Sequence, residues 1–288
     1  MNNIISTSSH ILSDYPIHEA IHVLRKEGYS GIELWFEDFK HQEKKGVSSY
    51  AKIKKAIIQT GLKGVIHAPL RDSSGKKLNI CSKDETLRKR SIKLNLESVN
   101  LARQFGFHLV NIHPGRMDND KDTPGDYWPL LFDAFRQLLP AAEEGSIILA
   151  VEAMELRPKE FVVHASDIIR LLSHFNSGYL GATLDIVHSY THGEDFPLRH
   201  FEDLKKLHLR HFHVSGYYGV DGKTHCPFRI DSKNLPYFSK ILKKVVLDYD
   251  GIITVEGAIK GIFSETQENQ LKVVRDNIDF IRSSVGGV

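Results

Sequence analysis

Short apolar runs recur along the chain, and amphipathic stretches at helical spacing separate them. Gly145–Met154 (GSIILAVEAM) is the clearest run, lying between a glycine and a polar loop. A run of that length bounded in that way reads as a strand buried on both faces. Runs of the same kind are Asn3–Ser8, Gly31–Leu34, Lys63–His67, Phe107–His113, Tyr179–Asp185, Leu207–Val214 and Gly251–Glu256. Helices are predicted over Pro16–Glu27, Ser48–Thr60, Asp84–Phe105, Asp126–Glu144, Ser166–Phe175, Phe196–Lys206, Asn234–Val246 and Glu265–Ser283. The first carries Ile17, Ala20, Ile21 and Leu24 on one face, with Asp14 as a candidate cap and Gly28 as its stop. Ser166 is the candidate cap of the sixth.

Strands that alternate with helices are parallel and joined by crossover connections. Eight such units predict an α/β fold, a single (β/α)8 TIM barrel with residues 1–288 as one domain. No GxGxxG follows the first strand, which disfavours an open dinucleotide-binding sheet. A hydrophobic content of 41% with 26% charged residues fits an ordinary globular chain with a sizeable core. The formal net charge of +2, without a basic run, disfavours a nucleic-acid partner. Two cysteines far apart, Cys81 and Cys226, and an opening MNNIISTSSH without signal-peptide character predict a cytoplasmic protein. No segment reaches the length of a membrane span, and assembly into a homo-oligomer is compatible with the sequence.

Chemistry enters at the strand ends. The third strand ends in His67, the fourth in His113, the fifth in Glu152, the sixth in Asp185, the seventh in His213 and the eighth in Glu256. His188 follows the sixth strand and His225 lies in the loop after the seventh. A barrel gathers these ends on its catalytic face. A carboxylate at the exit of a buried strand is costly unless a cation offsets it, and imidazole with carboxylate suits divalent ions such as zinc and manganese. One histidine at a strand end would be an ordinary structural residue; six consecutive strands with a ligand type predict a metal site. Glu33, within the second strand, is a candidate substrate contact, although a polar strand residue paired with a helix explains it somewhat better. His10, His18, His22, His41, His164, His174, His192 and His200 fall in predicted helices or loops and read as solvated. Asp221, Lys223 and Arg229, after the seventh strand, are candidates to meet an anionic substrate.

Ile66-His67-Ala68-Pro69, Ile112-His113-Pro114-Gly115, Val151-Glu152, Leu184-Asp185-Ile186-Val187-His188, Phe212-His213-Val214, Thr224-His225-Cys226-Pro227 and Val255-Glu256 resemble the xylose-isomerase-like barrel superfamily. That superfamily holds sugar isomerases, ketose 3-epimerases, inosose dehydratases and the endonuclease IV nucleases. The resemblance implies that Glu152, Asp185, His213 and Glu256 form the single-metal site of the isomerase and epimerase branch. It implies a second metal on His67 and His113, with Glu152 bridging, in the manner of the nuclease branch. His188 and His225 match two ligands of that branch's third metal. The third ligand position is Lys223 here, whose ammonium cannot ligate while protonated. Val214-Ser215 stands where the nucleases carry an Asn-Asp pair, and Asp185-Ile186-Val187-His188 departs from their Asp-Thr-Cys-His.

The expected protein is therefore an enzyme with one or two divalent ions (zinc, manganese, magnesium or cobalt) per chain. Its expected reaction is isomerisation or epimerisation of a small sugar, polyol or sugar phosphate through a metal-stabilised enediolate. Glu152 and Glu256 would pass the proton, His188 would orient the substrate oxygen, and Arg229 or Lys223 would receive a phosphate. The alternative is a phosphoester hydrolase of endonuclease IV type, acting at apurinic sites.

Overall fold

The computed structural model describes residues 3–205, 209–216, 225–228, 234–257 and 266–285. His208, Asp221, Lys223 and Arg229 lie outside the described residues. The strands are β1 (Ile4–Thr7), β2 (Gly31–Trp35), β3 (Lys63–His67), β4 (Leu109–Ile112), β5 (Ile148–Glu152), β6 (Leu180–Asp185), β7 (Leu209–Val214) and β8 (Ile252–Val255). The helices are α1 (Ile17–Lys26), α2 (Phe36–Lys44), α3 (Tyr50–Thr60), α4 (Glu85–Phe105), α5 (Pro124–Gly145), α6 (Ala165–Phe175), α7 (Ile186–Tyr190), α8 (Phe196–Leu204), α9 (Leu235–Asp248) and α10 (Gln267–Val285). Every predicted strand and helix is present, with ends displaced by three residues at most.

Two helices were not visible in the apolar pattern. α2 starts directly from β2, buries Phe36 and Phe39, and carries Glu37 and Asp38 in its first turn, where acidic side chains suit the helix dipole. α7 is a short helix whose amides are capped by Asp185. Two caps also differ from expectation. The N-cap of α1 is Pro16 rather than Asp14, and the first free amide is taken by Gln42 Oε1, 2.8 Å from Ile17 N. The cap of α6 is His164 rather than Ser166, because Asp167 reaches back to the His164 amide at 2.9 Å and completes a capping box. α4 follows the rule more simply: Asp84 Oδ1 accepts from Thr86 and Leu87, and Gly106 ends the helix at a φ of +77°.

The chain forms two compact units, residues 1–64 with 212–288, and residues 65–211. In the first, β1 lies parallel between β8 and β2: Thr7 registers with Val255, and Ser8 bridges Glu33. The end of β8 meets the end of β7 through Glu256 N to Val214 O at 3.0 Å. In the second, β4 lies between β3 and β5, and β6 follows β5, all parallel. His67 registers with Asn111, Ile112 with Val151, and Glu152 with Thr183. Parallel strands in such register end along one edge, so each unit brings its polar strand ends together. Among the described residues, no helix is long and apolar enough to cross a membrane.

Candidate metal centre

In the second unit the site is built around Glu152, which is fully buried at the end of β5. Asn111 Nδ2 donates to Glu152 Oε2 at 2.7 Å, and Asn111 Oδ1 accepts from Thr183 Oγ1 at 2.6 Å. Alternation along the strands sets this up. Asn111 and His113 are two apart, as are Thr183 and Asp185, so each pair shares a face. Glu152 Oε2 lies 3.3 Å from His113 Nε2, and Oε1 lies 3.2 Å from His188 Nδ1. One carboxylate thus sits between an amide and two imidazoles.

The histidines are oriented by backbone carbonyls. His67 Nδ1 is 2.9 Å from the Ala68 carbonyl, and His188 Nδ1 is 3.0 Å from the Ala153 carbonyl. A carbonyl only accepts, so Nδ1 carries the proton in each ring and Nε2 is left as the basic nitrogen. This is how a protein presents an imidazole to a metal. One ligand atom from each of His67, His113 and Glu152 lies within 4.8 Å of the others. Two imidazoles and a carboxylate at that spacing fit a zinc- or manganese-type ion. Asp185 Oδ1 accepts from Val187 N at 2.7 Å and His188 N at 3.0 Å, which fixes the carboxylate at the start of α7.

In the first unit Glu256 Oε2 lies 2.7 Å from His213 Nδ1 and 3.5 Å from His225 Nδ1. His213 Nε2 lies 3.0 Å from Glu33 Oε2. Both nitrogens of His213 therefore meet a carboxylate oxygen, and Glu33, expected beside substrate, is fully buried against that ring. His225 is held at a φ of +59°, a strained conformation for a residue with a Cβ.

Of the histidines read as solvated, His10 is half-exposed but paired, and His200 is buried. His10 stacks on Trp35 with ring centroids 4.7 Å apart and meets Asp38 Oδ2 at 3.0 Å. Burial pulls the His10 pKa down, but the Asp38 bond and charge outweigh it and hold the ring above its usual range. His200 is 4% exposed and 2.9 Å from Ser189 Oγ. Burial, then the neighbouring His192 and His164 rings, push its pKa down to about 4. Its burial follows from α8, where Pro197, His200, Phe201 and Leu204 recur at helical spacing and all face inward. Asn111 and Thr183 were also missed; the one available signal was a polar residue inside an otherwise apolar run.

A cavity of about 360 Å3 opens beside His113 in the second unit, walled by the loops that follow β3, β4 and β5. Asn79 ties two of these loops together: its Nδ2 donates to Arg116 O at 2.8 Å and to Asp118 Oδ1 at 3.0 Å. Ser82 Oγ also reaches Asp118 Oδ1, at 3.0 Å. Gly115, at a φ of +81°, lets the loop pass; a Cβ there would lie 2.5 Å from Asn79 Oδ1 and 2.7 Å from Cys81 Sγ.

The chain is similar to proteins of different chemistry. An uncharacterised protein of Methanocaldococcus jannaschii is 24% identical over 285 residues, covering 98% of this chain and 99% of that protein. A probable endonuclease 4 of Aquifex aeolicus is 23% identical over 213 residues, 64% of this chain and 72% of that one. The crystal structure of D-allulose 3-epimerase from Methylomonas sp. superposes with a TM-score of 0.74 at 15% identity, over 99% of this chain and 98% of the epimerase. The model of one family matches residues 21–284, and with it the expected fold: the chain belongs to the xylose isomerase-like TIM barrel family.

Proposed function

We propose that this protein is a divalent-metal-dependent isomerase or epimerase of a small sugar, polyol or sugar phosphate. The observation that carries this reading is that each unit ends one strand in a buried carboxylate flanked by two imidazoles. Glu152 stands with His113 and His188, and Glu256 with His213 and His225. Moving a proton from one carbon face to another needs two bases, and the chain supplies one from each unit.

The residues proposed to hold the principal ion are Glu152, Asp185, His213 and Glu256, because strand ends of a TIM barrel share its catalytic face. The ion, when bound, would polarise a substrate carbonyl and acidify the neighbouring C–H. Glu152 would take the proton and Glu256 return one. His188, fixed by the Ala153 carbonyl, would direct Nε2 at a substrate oxygen. The likeness in fold to a ketose 3-epimerase supports this class of reaction.

A second reading, a phosphoester hydrolase of endonuclease IV type, draws on the His67, His113 and Glu152 cluster and on the Aquifex aeolicus relative. The two chemistries part at the C–H bond. With manganese, magnesium, cobalt or zinc, the isomerase wash should carry solvent deuterium into at least one ketose, inosose or sugar phosphate. Chelator, Glu152→Gln and Glu256→Gln should each reduce that exchange by about 10²-fold or more, as expected for loss of a general base. Cleavage of abasic duplex DNA without deuterium uptake into any sugar would overturn the first reading in favour of the second.

A further inference from the structure

Among the described residues, the cavity beside His113 is lined by Arg71, Lys77, Arg116 and Arg157, and against them by Glu155 and Glu160. Arg157 Nη1 is 2.7 Å from Glu155 Oε1, so that pair is mutually compensated. Arg71 donates from Nη1 to the Gly75 carbonyl at 2.8 Å, which fixes the guanidinium at the cavity wall. Lys77 and Arg116 share that wall with Glu160. Burial raises the pKa of Glu160, against the opposing pull of His113 and Arg116. The Lys77 pKa is lowered first by Arg116, then by burial and by Arg71. Mutual repulsion of this kind is a standing cost in the free protein, and an anionic ligand removes it.

From this lining and from the place of His113 in both the cavity and the His67, His113 and Glu152 cluster, we propose that the cavity is the phosphate subsite of the substrate, a small phosphorylated ketose or polyol. The assignment of the sugar rests on the isomerase or epimerase reading; the anion subsite stands on the cavity alone. The volume, about 360 Å3, lies in the range of small-ligand pockets. Guanidinium groups match phosphate by paired N–H donation, and a lysine adds a point charge. The position differs from the one the sequence suggested, the loop bearing Lys223 and Arg229. The walls are tied by Asn79 and Asp118, so the cations are held apart from one another in a preformed concave site. An extended polymer would need an open basic stripe instead.

Calorimetric titration of the whole protein tests this with inorganic phosphate, D-fructose 6-phosphate and D-fructose at constant ionic strength. Phosphate should bind and compete with fructose 6-phosphate. Both should weaken about tenfold or more in Arg116→Gln and in Lys77→Met, the usual effect of losing one charged hydrogen bond. Lys93→Met, on an exposed face of α4 outside the lining, should leave both unchanged. Phosphate binding should survive chelator, so it succeeds or fails independently of the metal and of deuterium exchange. Absence of saturable phosphate binding, or equal binding by wild type and both lining variants, would overturn the subsite. Displacement of phosphate by abasic duplex DNA, with the same losses in the two variants, would overturn the small-molecule assignment in favour of a nucleic-acid backbone.

Discussion

Replacing Asn111 with leucine removes a side chain that touches neither substrate nor ion in the proposed site, yet it should disable the site. The amide makes two buried bonds, 2.7 Å to the Glu152 carboxylate and 2.6 Å to the Thr183 hydroxyl. A bond to a charged group contributes about 1.5–3 kcal/mol and a neutral one about 1 kcal/mol. Leucine, similar in size, supplies neither. Asn111→Leu should therefore cost about 2.5–4 kcal/mol and lower the melting temperature by on the order of 10 °C. Removal of an outer partner of a ligand typically costs 10–100-fold in metal affinity, and the same is expected here for zinc or manganese. Thr183→Val separates the two bonds: it orphans only Asn111 Oδ1, so it should lower stability by about 1 kcal/mol and leave metal affinity near that of wild type. Differential scanning fluorimetry and competition with a chromophoric chelator read both quantities. The reasoning fails if Asn111→Leu melts with wild type, or if the two variants weaken metal binding equally.

Acid should destabilise the fold through His200. Its folded pKa, about 4, lies below the ordinary histidine value of 6.5, so above 6.5 the contribution of the neutral buried ring is fully present. As pH falls through that window the unfolded chain binds a proton that the folded chain refuses, and stability declines by up to about 1.4 kcal/mol per pH unit. His200→Gln should flatten that slope in urea unfolding series run between pH 7 and 4.5; an unchanged slope would assign the acid sensitivity elsewhere. Lys223→Asp tests the third ligand position: wild type should hold at most two ions by elemental analysis, and the variant should gain one. Three ions in the wild type would refute the argument from the ammonium.

The strand ends were legible because each carries a feature that two short rules detect. An apolar run gives the strand, and a carboxylate or imidazole at its close is out of place in a core. That sufficed for His67, Glu152 and Asp185, which end β3, β5 and β6, and for His113 and Glu256, which directly follow β4 and β8. It failed where the polar residue is inside the run. Asn111 sits mid-strand, and its partners are 41 and 72 residues away in sequence, a distance no local pattern spans. The cations of the cavity, Arg71, Lys77, Arg116 and Arg157, drew no attention in the sequence, since only folding brings their three loops together. α2 and α7 begin without a turn after their strands, so no punctuation marks them. His200 was different, since its place beside Phe201 and Leu204 on an amphipathic helix already implied burial. A prior that histidines on helices are solvated overrode a periodicity that was correct.

Asp185 spends one oxygen on the backbone of α7, through Val187 N and His188 N, and the helix it starts carries His188 to Glu152. The same carboxylate is the one proposed to meet a cation. Charge drawn toward an ion is charge withdrawn from the two amides, and linkage requires the effect to run both ways with equal factor. Val187 and His188 thereby become reporters: their amide resonances register the electrostatic state of Asp185 without a substrate. Ordering of that single turn and occupancy of the carboxylate are two readings of one equilibrium, available by amide spectroscopy.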